Sequence, residues 1–196
     1  MANLAMTDYI VTGPKKELDE LWKVMDDLDV NGKTVWLDKF ADKFGIDYNN
    51  KVKPISVRGE FVFAEYCDNV DVPYIQFETE TAWDACNDLF FVVNEKMNNK
   101  LSISYRCCEC GCQIFYTHDE GGYYTEECCV TSNGDVFGEM GYYEMFMTVD
   151  NAIDYWCECM DYDRGNKTTD EMLKIIDEYE YDDDCLYYHI NKFIFE

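Results

Sequence analysis

An α+β fold with one antiparallel sheet in β-α-β-β-α-β order is predicted by three observations. Two segments, 14–28 and 82–98, carry apolar residues at helical spacing. The stretches around them alternate apolar and polar residues, as half-buried strands do. Of the 196 residues, 28 are Phe or Tyr, bulky side chains that suit a sheet-rich core.

Each element follows from local chemistry. Leu4 to Thr12 reads as a strand closed by Gly13, and Pro14 fits the first turn of a helix, where its missing N–H costs nothing. Leu18, Leu21, Trp22, Met25 and Leu28 give that helix, 14–28, its apolar stripe. Leu37, Phe40 and Phe44 mark a short second helix stopped by Gly45, and 46–54 is a polar loop ending in Pro54. Ile55 to Cys67 is a strand, Asp68-Asn69 a turn, and 73–79 the next strand. Thr81 is expected to cap the helix 82–98, which Asn98-Asn99 ends. Leu101, Ile103 and Tyr105 open a strand that runs toward a cysteine cluster.

A C-terminal extension completes the fold class. A hairpin is expected over 110–117 and 123–131 around Asp119-Glu120-Gly121-Gly122, then a strand over 136–148 (Val136, Phe137, Tyr142, Phe146). Helices over 150–160 and 169–179 follow, the second capped by Thr168 or Thr169, with Asp182-Asp183-Asp184 as a charged turn and 186–195 as a closing aromatic strand. The expected division is a ferredoxin-like domain with its extra hairpin at 1–148 and an acidic helical and strand extension at 149–196 packed on the same domain.

The segment Tyr74-Ile75-Gln76-Phe77-Glu78-Thr79, then Thr81-Ala82-Trp83, an amphipathic helix, and Leu101-Ser102-Ile103-Ser104-Tyr105 resembles the YubB-like ferredoxin-like domain family. That family occurs in phage, plasmid and integrated-element proteins, and its biochemical role is not established. The resemblance covers about residues 4–140. Asp84-Ala85-Cys86 stands where family members tend to carry prolines. The resemblance implies a ferredoxin-like fold and a mobile-element origin, and it carries over no catalytic residue.

Charge is the strongest compositional fact. The chain has 41 acidic and 16 basic residues, a net charge of −25. Residues 101–196 alone hold 22 acids and 5 bases, and 107–163 hold 13 carboxylates with no Lys or Arg. Nucleic-acid affinity comes from cations displacing counterions, so direct binding of DNA, RNA or an anionic membrane is disfavoured. A basic protein partner is favoured, because opposite charge steers encounter. Glu126, Glu127, Asp161 and Asp163 are the expected partner-binding residues. The acidic runs lack the ligand spacing of an EF-hand loop.

Eleven cysteines form the sharpest local pattern. The odd number, the adjacent pairs and the absence of a basic-then-apolar N-terminal signal argue for free thiols in a cytoplasmic protein rather than a secreted disulfide framework. No CxxC…CxxC knuckle is present. In a strand, Cys108, Cys110 and Cys112 share a face, and the expected hairpin sets Cys112 opposite Cys129, about 5 Å away at Cβ. Zinc on Cys108, Cys110, Cys112 and Cys129 is therefore the one cofactor the pattern allows. His118 and His189 are the only histidines, and neither belongs to a nucleophile–base–acid constellation.

These readings yield two expectations. The first is a non-enzymatic acidic protein of a mobile genetic element that binds a basic protein, such as a nucleic-acid-handling enzyme, as a nucleic-acid mimic or anti-defence inhibitor. The alternative is a zinc-stabilised or thiol-chemistry protein centred on the Cys107–Cys129 hairpin.

Overall fold

Alternation in the first strand decides which way the sheet faces. In the computed structural model, which describes residues 3–138, 143–183 and 185–196, β1 (Leu4–Thr12) buries Ala5, Thr7, Tyr9 and Val11 and leaves the intervening side chains partly exposed. The architecture is mixed α+β. The chain forms two compact units, one up to Tyr123 that also takes Phe195–Glu196, the other Tyr124–Ile194. The division falls at Tyr123/Tyr124, upstream of the 148/149 boundary expected from sequence.

In the first unit, α1 (Lys15–Leu28) starts behind Pro14 and ends at Asp29, whose φ of 61° breaks the helix. Gly13 is required just before it, because a Cβ there would lie 2.8 Å from the Lys100 carbonyl oxygen. A two-residue strand β2 (Val35–Trp36) leads into α2 (Leu37–Lys43). β3 (Gly59–Cys67), β4 (Tyr74–Ala82), α3 (Asn87–Lys96), β5 (Ser102–Glu109) and β6 (Ile114–His118) follow. The seven-stranded sheet has the order β10-β6-β5-β1-β4-β3-β2, with β10 (Ile194–Phe195) at one edge, and the pairings from β2 to β6 are all antiparallel.

Helices α1, α2 and α3 cover one face of this sheet. Tyr9, Phe61, Phe77 and Phe90 meet there, Tyr9 and Phe77 stacking at 4.6 Å, with Leu18, Met25 and Phe40 packed around them. Burying such aromatic and aliphatic side chains supplies the main drive to fold. At the outer rim of β3 the Asn31 side chain takes the place of a neighbouring strand: its Nδ2 donates to the Ala64 carbonyl (2.7 Å) and its Oδ1 accepts from the Ala64 N–H (2.9 Å).

Two boundaries differ from the sequence expectation. Thr81 is not a helix cap. β4 continues through it because β1 pairs the whole way, Leu4 with Ala82, and Trp83 turns the chain with φ 78°. The strand after the loop begins at Gly59 rather than Ile55. Asn98 and Asn99, both at positive φ, end α3 region as their sequence implied.

The second unit is smaller. Its sheet runs β8-β7-β9, from β8 (Glu144–Phe146), β7 (Cys128–Asn133) and β9 (Tyr187–Lys192), with α4 (Val149–Cys159) and α5 (Thr169–Asp177) beside it. Trp156, Ile153, Met172 and Tyr188 form its core. Thr168 and Glu171 make a reciprocal capping box at the start of α5. The strand expected over 136–148 is instead a 3-10 turn, Asp135–Phe137, followed by β8; Tyr142 lies outside the described residues, as does Asp184 of the acidic turn. The closing aromatic strand is split into β9 and β10.

Candidate functional site

The expected cysteine hairpin is replaced by a different one. β6 folds back on β5, so the turn is 110–113, and β7 belongs to the sheet of the second unit, where it pairs with β8 and β9. Cys112 therefore does not face Cys129. Glu109 explains the tight turn: its side chain is 2% exposed and accepts the backbone N–H groups of Gly111 (2.9 Å) and Cys112, while Gln113 takes φ 57°. Cys108 stays on the strand, Cys110 and Cys112 lie in the turn, and Cys129 is buried in the other unit. Among the described residues no group of three or more His, Cys, Asp or Glu side chains is placed to hold a metal ion.

Thiol chemistry finds little support in the electrostatics. Burial pushes the Cys107 and Cys110 thiols up to about 11, and Cys128 likewise to about 11. A nucleophilic or redox cysteine needs the opposite shift, toward the thiolate. All eleven thiols are free. Cys107 sits in register with Thr7 and Tyr116, and Tyr116 belongs to a partly buried polar chain. In that chain the Tyr9 hydroxyl donates to Asn87 Oδ1 (2.7 Å), Asn87 Nδ2 to the Tyr116 hydroxyl (3.2 Å), and Tyr116 to Asp84 Oδ1 (2.8 Å). Desolvation holds both phenols above their ordinary range. The chain ties β1 and β6 to the start of α3, and it contains no histidine. His118 stacks on Tyr105 (5.3 Å) and His189 on Tyr187 (5.3 Å).

The sheet face turned away from the helices carries the notable chemistry. Side chains directly opposite in antiparallel strands share a face, and register places Trp36 beside Glu60, Glu60 beside Glu80, and Asp8 beside Glu78. Like charges set opposite each other are destabilising. Burial, then the charges of Asp8 and Glu80, raise the Glu78 carboxyl above its usual range. Asp8 is partly neutralised by Arg106, 3.6 Å away.

At the β2 end this face opens into a groove of about 460 Å³, lined among others by Trp36, Asp38, Arg58, Glu60 and Glu80. Gly59 forms part of its wall; a Cβ there would lie 2.5 Å from the Glu80 carbonyl oxygen. Trp36 and Leu4 are 55% and 53% exposed, and Asp38 Oδ1 is buried with no hydrogen-bond partner among the described residues. Among those residues, Arg58, Glu60 and Glu80 form no ion pair.

Compared with family models, curated proteins and solved structures, the chain matches none. The groove therefore rests on its own geometry.

The four carboxylates expected to meet a partner all fall in the second unit, whereas the basic-free stretch 107–163 is shared between both. Glu127 accepts the Val149 N–H (3.1 Å) at the start of α4, and Asp161 and Asp163 follow its end. An 11-residue helix is about 16 Å long, so Glu127 and the two aspartates flank opposite ends of α4 rather than forming one cluster. Asp163 Oδ1 also accepts the Gly165 N–H (2.9 Å). Glu126 is partly buried and engaged in further interactions of its own. Sequence reasoning missed Trp36, Glu60 and Glu80. Alternation puts Glu60 outward, but only the register reveals that Glu80 and Trp36 lie on either side of it.

Proposed function

We propose that this protein is a non-enzymatic binding protein whose anionic sheet face engages a basic protein partner. The strand order β5-β1-β4-β3, with α1 and α3 on one face, supports a ferredoxin-like reading of the core; the family and a mobile-element setting rest on the sequence resemblance alone. The observation that carries the reading is the run of cross-strand carboxylates: Glu60 opposite Glu80, and Asp8 opposite Glu78. Such pairs cost stability, and costly local choices concentrate where function requires them.

Both units add to the field. The first holds 23 acidic and 12 basic residues, a net −11, and the second 18 and 4, a net −14. Carboxylates in this density stand in for phosphates, so the partner can be a nucleic-acid-handling enzyme held off its substrate, in a cytoplasmic setting. Glu126, Glu127, Asp161 and Asp163, all in the second unit, contribute to encounter more than to contact.

The test is equilibrium binding to a purified core histone and to duplex DNA of 20 base pairs, at 0.05 M and 0.5 M salt. Histone binding should be present at the lower salt and largely gone at the higher, since the Debye length falls from about 14 Å to about 4 Å. DNA binding should be undetectable. Absence of histone binding at 0.05 M salt, or DNA binding that survives physiological salt, sinks the reading.

A further inference from the structure

Resting on that reading, we infer that the groove beside β2 is an arginine receptor: it takes one arginine side chain of a basic partner between the Trp36 indole and the Glu60 and Glu80 carboxylates. Trp36, Glu60 and Glu80 stand in one cross-strand row on one face, so neighbouring Cβ atoms are about 5 Å apart. A planar guanidinium laid on the indole can present its edge N–H groups to the adjoining carboxylates, combining a cation–π contact with charge-assisted hydrogen bonds. An ammonium lacks both the plane and the fork.

Three further observations favour a cationic guest. The indole is 55% exposed although it stands beside a groove of about 460 Å³, a volume within the range of ligand pockets. Asp38 Oδ1, at the same groove, is a buried acceptor without a donor, a state that native proteins rarely leave unfilled. The charged side chains lining the groove are Asp38, whose Oδ2 pairs with Lys39 (3.2 Å), Glu60 and Glu80, against Arg58, within a chain of net charge −25. An anionic guest on Arg58 would have to enter against that field. Arg58 instead limits affinity by repelling the incoming guanidinium.

The experiment measures binding of a fluorescein-labelled nonapeptide of alternating glycine and arginine by anisotropy at 0.05 M salt, beside its lysine and glutamate counterparts. The native protein should bind the arginine peptide with quenching of tryptophan emission, and the lysine peptide more weakly. Trp36→Leu and the double variant Glu60→Gln/Glu80→Gln should each weaken arginine binding by about tenfold or more, and Arg58→Gln should strengthen it. The double variant removes a cross-strand repulsion, so it should fold at least as stably as the native chain. A second double variant, Asp177→Asn/Glu180→Gln, makes the same charge change at two exposed positions of the second unit that do not line the groove. If it weakens binding as much as Glu60→Gln/Glu80→Gln does, attraction is diffuse and the receptor inference falls while the basic-partner reading stands. The same holds if histone binds but the arginine peptide does not. If neither binds, both fall. Capture of the glutamate peptide through Arg58 overturns the inference by reversing the sign of the guest.

Discussion

Glu78 shows how one side chain converts placement into pH dependence. Its carboxyl is partly withdrawn from water and faces Asp8 across the strand pair, so its protonated form is favoured in the folded state. The folded chain then binds this proton more readily than the unfolded one. Its stabilising contribution is complete below the unfolded carboxyl range, near pH 4, and is lost as pH rises through the raised folded value. Glu17 and Asp150 work in the opposite sense. Lys100 and Arg164 hold them below their ordinary range, so their contribution is present at neutral pH and fades on acidification. Glu78→Gln should therefore raise unfolding free energy at pH 7 by roughly 0.2–1 kcal/mol, with no gain at pH 4, as measured by urea titration at the two pH values. A variant that loses stability at pH 7 would show that the carboxylate makes a favourable contact there.

The turn after β5 shows what patterns could and could not reveal at the level of an element. Periodicity located α1, α3 and the four central strands, because burying one face leaves a repeating mark in the chain. It misplaced the cysteine hairpin because Asp119-Glu120-Gly121-Gly122 is a strong local turn signal, whereas the actual turn is organised by the side chain of Glu109 folding back on Gly111 and Cys112. Long-range register was equally hidden. Thr81 has the chemistry of a cap, yet pairing with Ala5 holds it in β4. The candidate groove was illegible for the same reason, since Trp36, Glu60 and Glu80 become neighbours only through strand pairing. Replacing Glu109 by Ala should strip the Gly111 and Cys112 N–H groups of their acceptor and destabilise the first unit by about 0.5–1.5 kcal/mol. Hydrogen exchange at Gly111 and Cys112 should accelerate before that of β1; unchanged protection at both amides would refute this account of the turn.

Across the whole molecule, charge sets two trends that run in opposite directions with salt. Each unit repels itself, with net charges of −11 and −14, and dissolved ions screen that repulsion. Raising sodium chloride from 0.01 M to 0.3 M should lift the thermal midpoint by a few degrees, as followed by circular dichroism, even as the same salt weakens attraction to a basic partner. A midpoint that falls would mean that the lysine–aspartate pairs on α1, such as Lys15–Asp19 and Lys23–Asp27, outweigh the net repulsion. Among the described residues, no helix is long and apolar enough to cross a membrane. The molecule must also keep a broad sheet from growing, and here the side chain of Asn31 matters. By occupying both backbone groups of Ala64 it closes one rung at which a second copy could add a strand, a point that charge alone would leave unguarded once salt screens it. Asn31→Ala should leave the variant dispersed at low salt but make it associate through its edge at 0.5 M salt, seen as rising light scattering and thioflavin fluorescence; a variant that stays dispersed there would place the barrier to edge-to-edge assembly elsewhere.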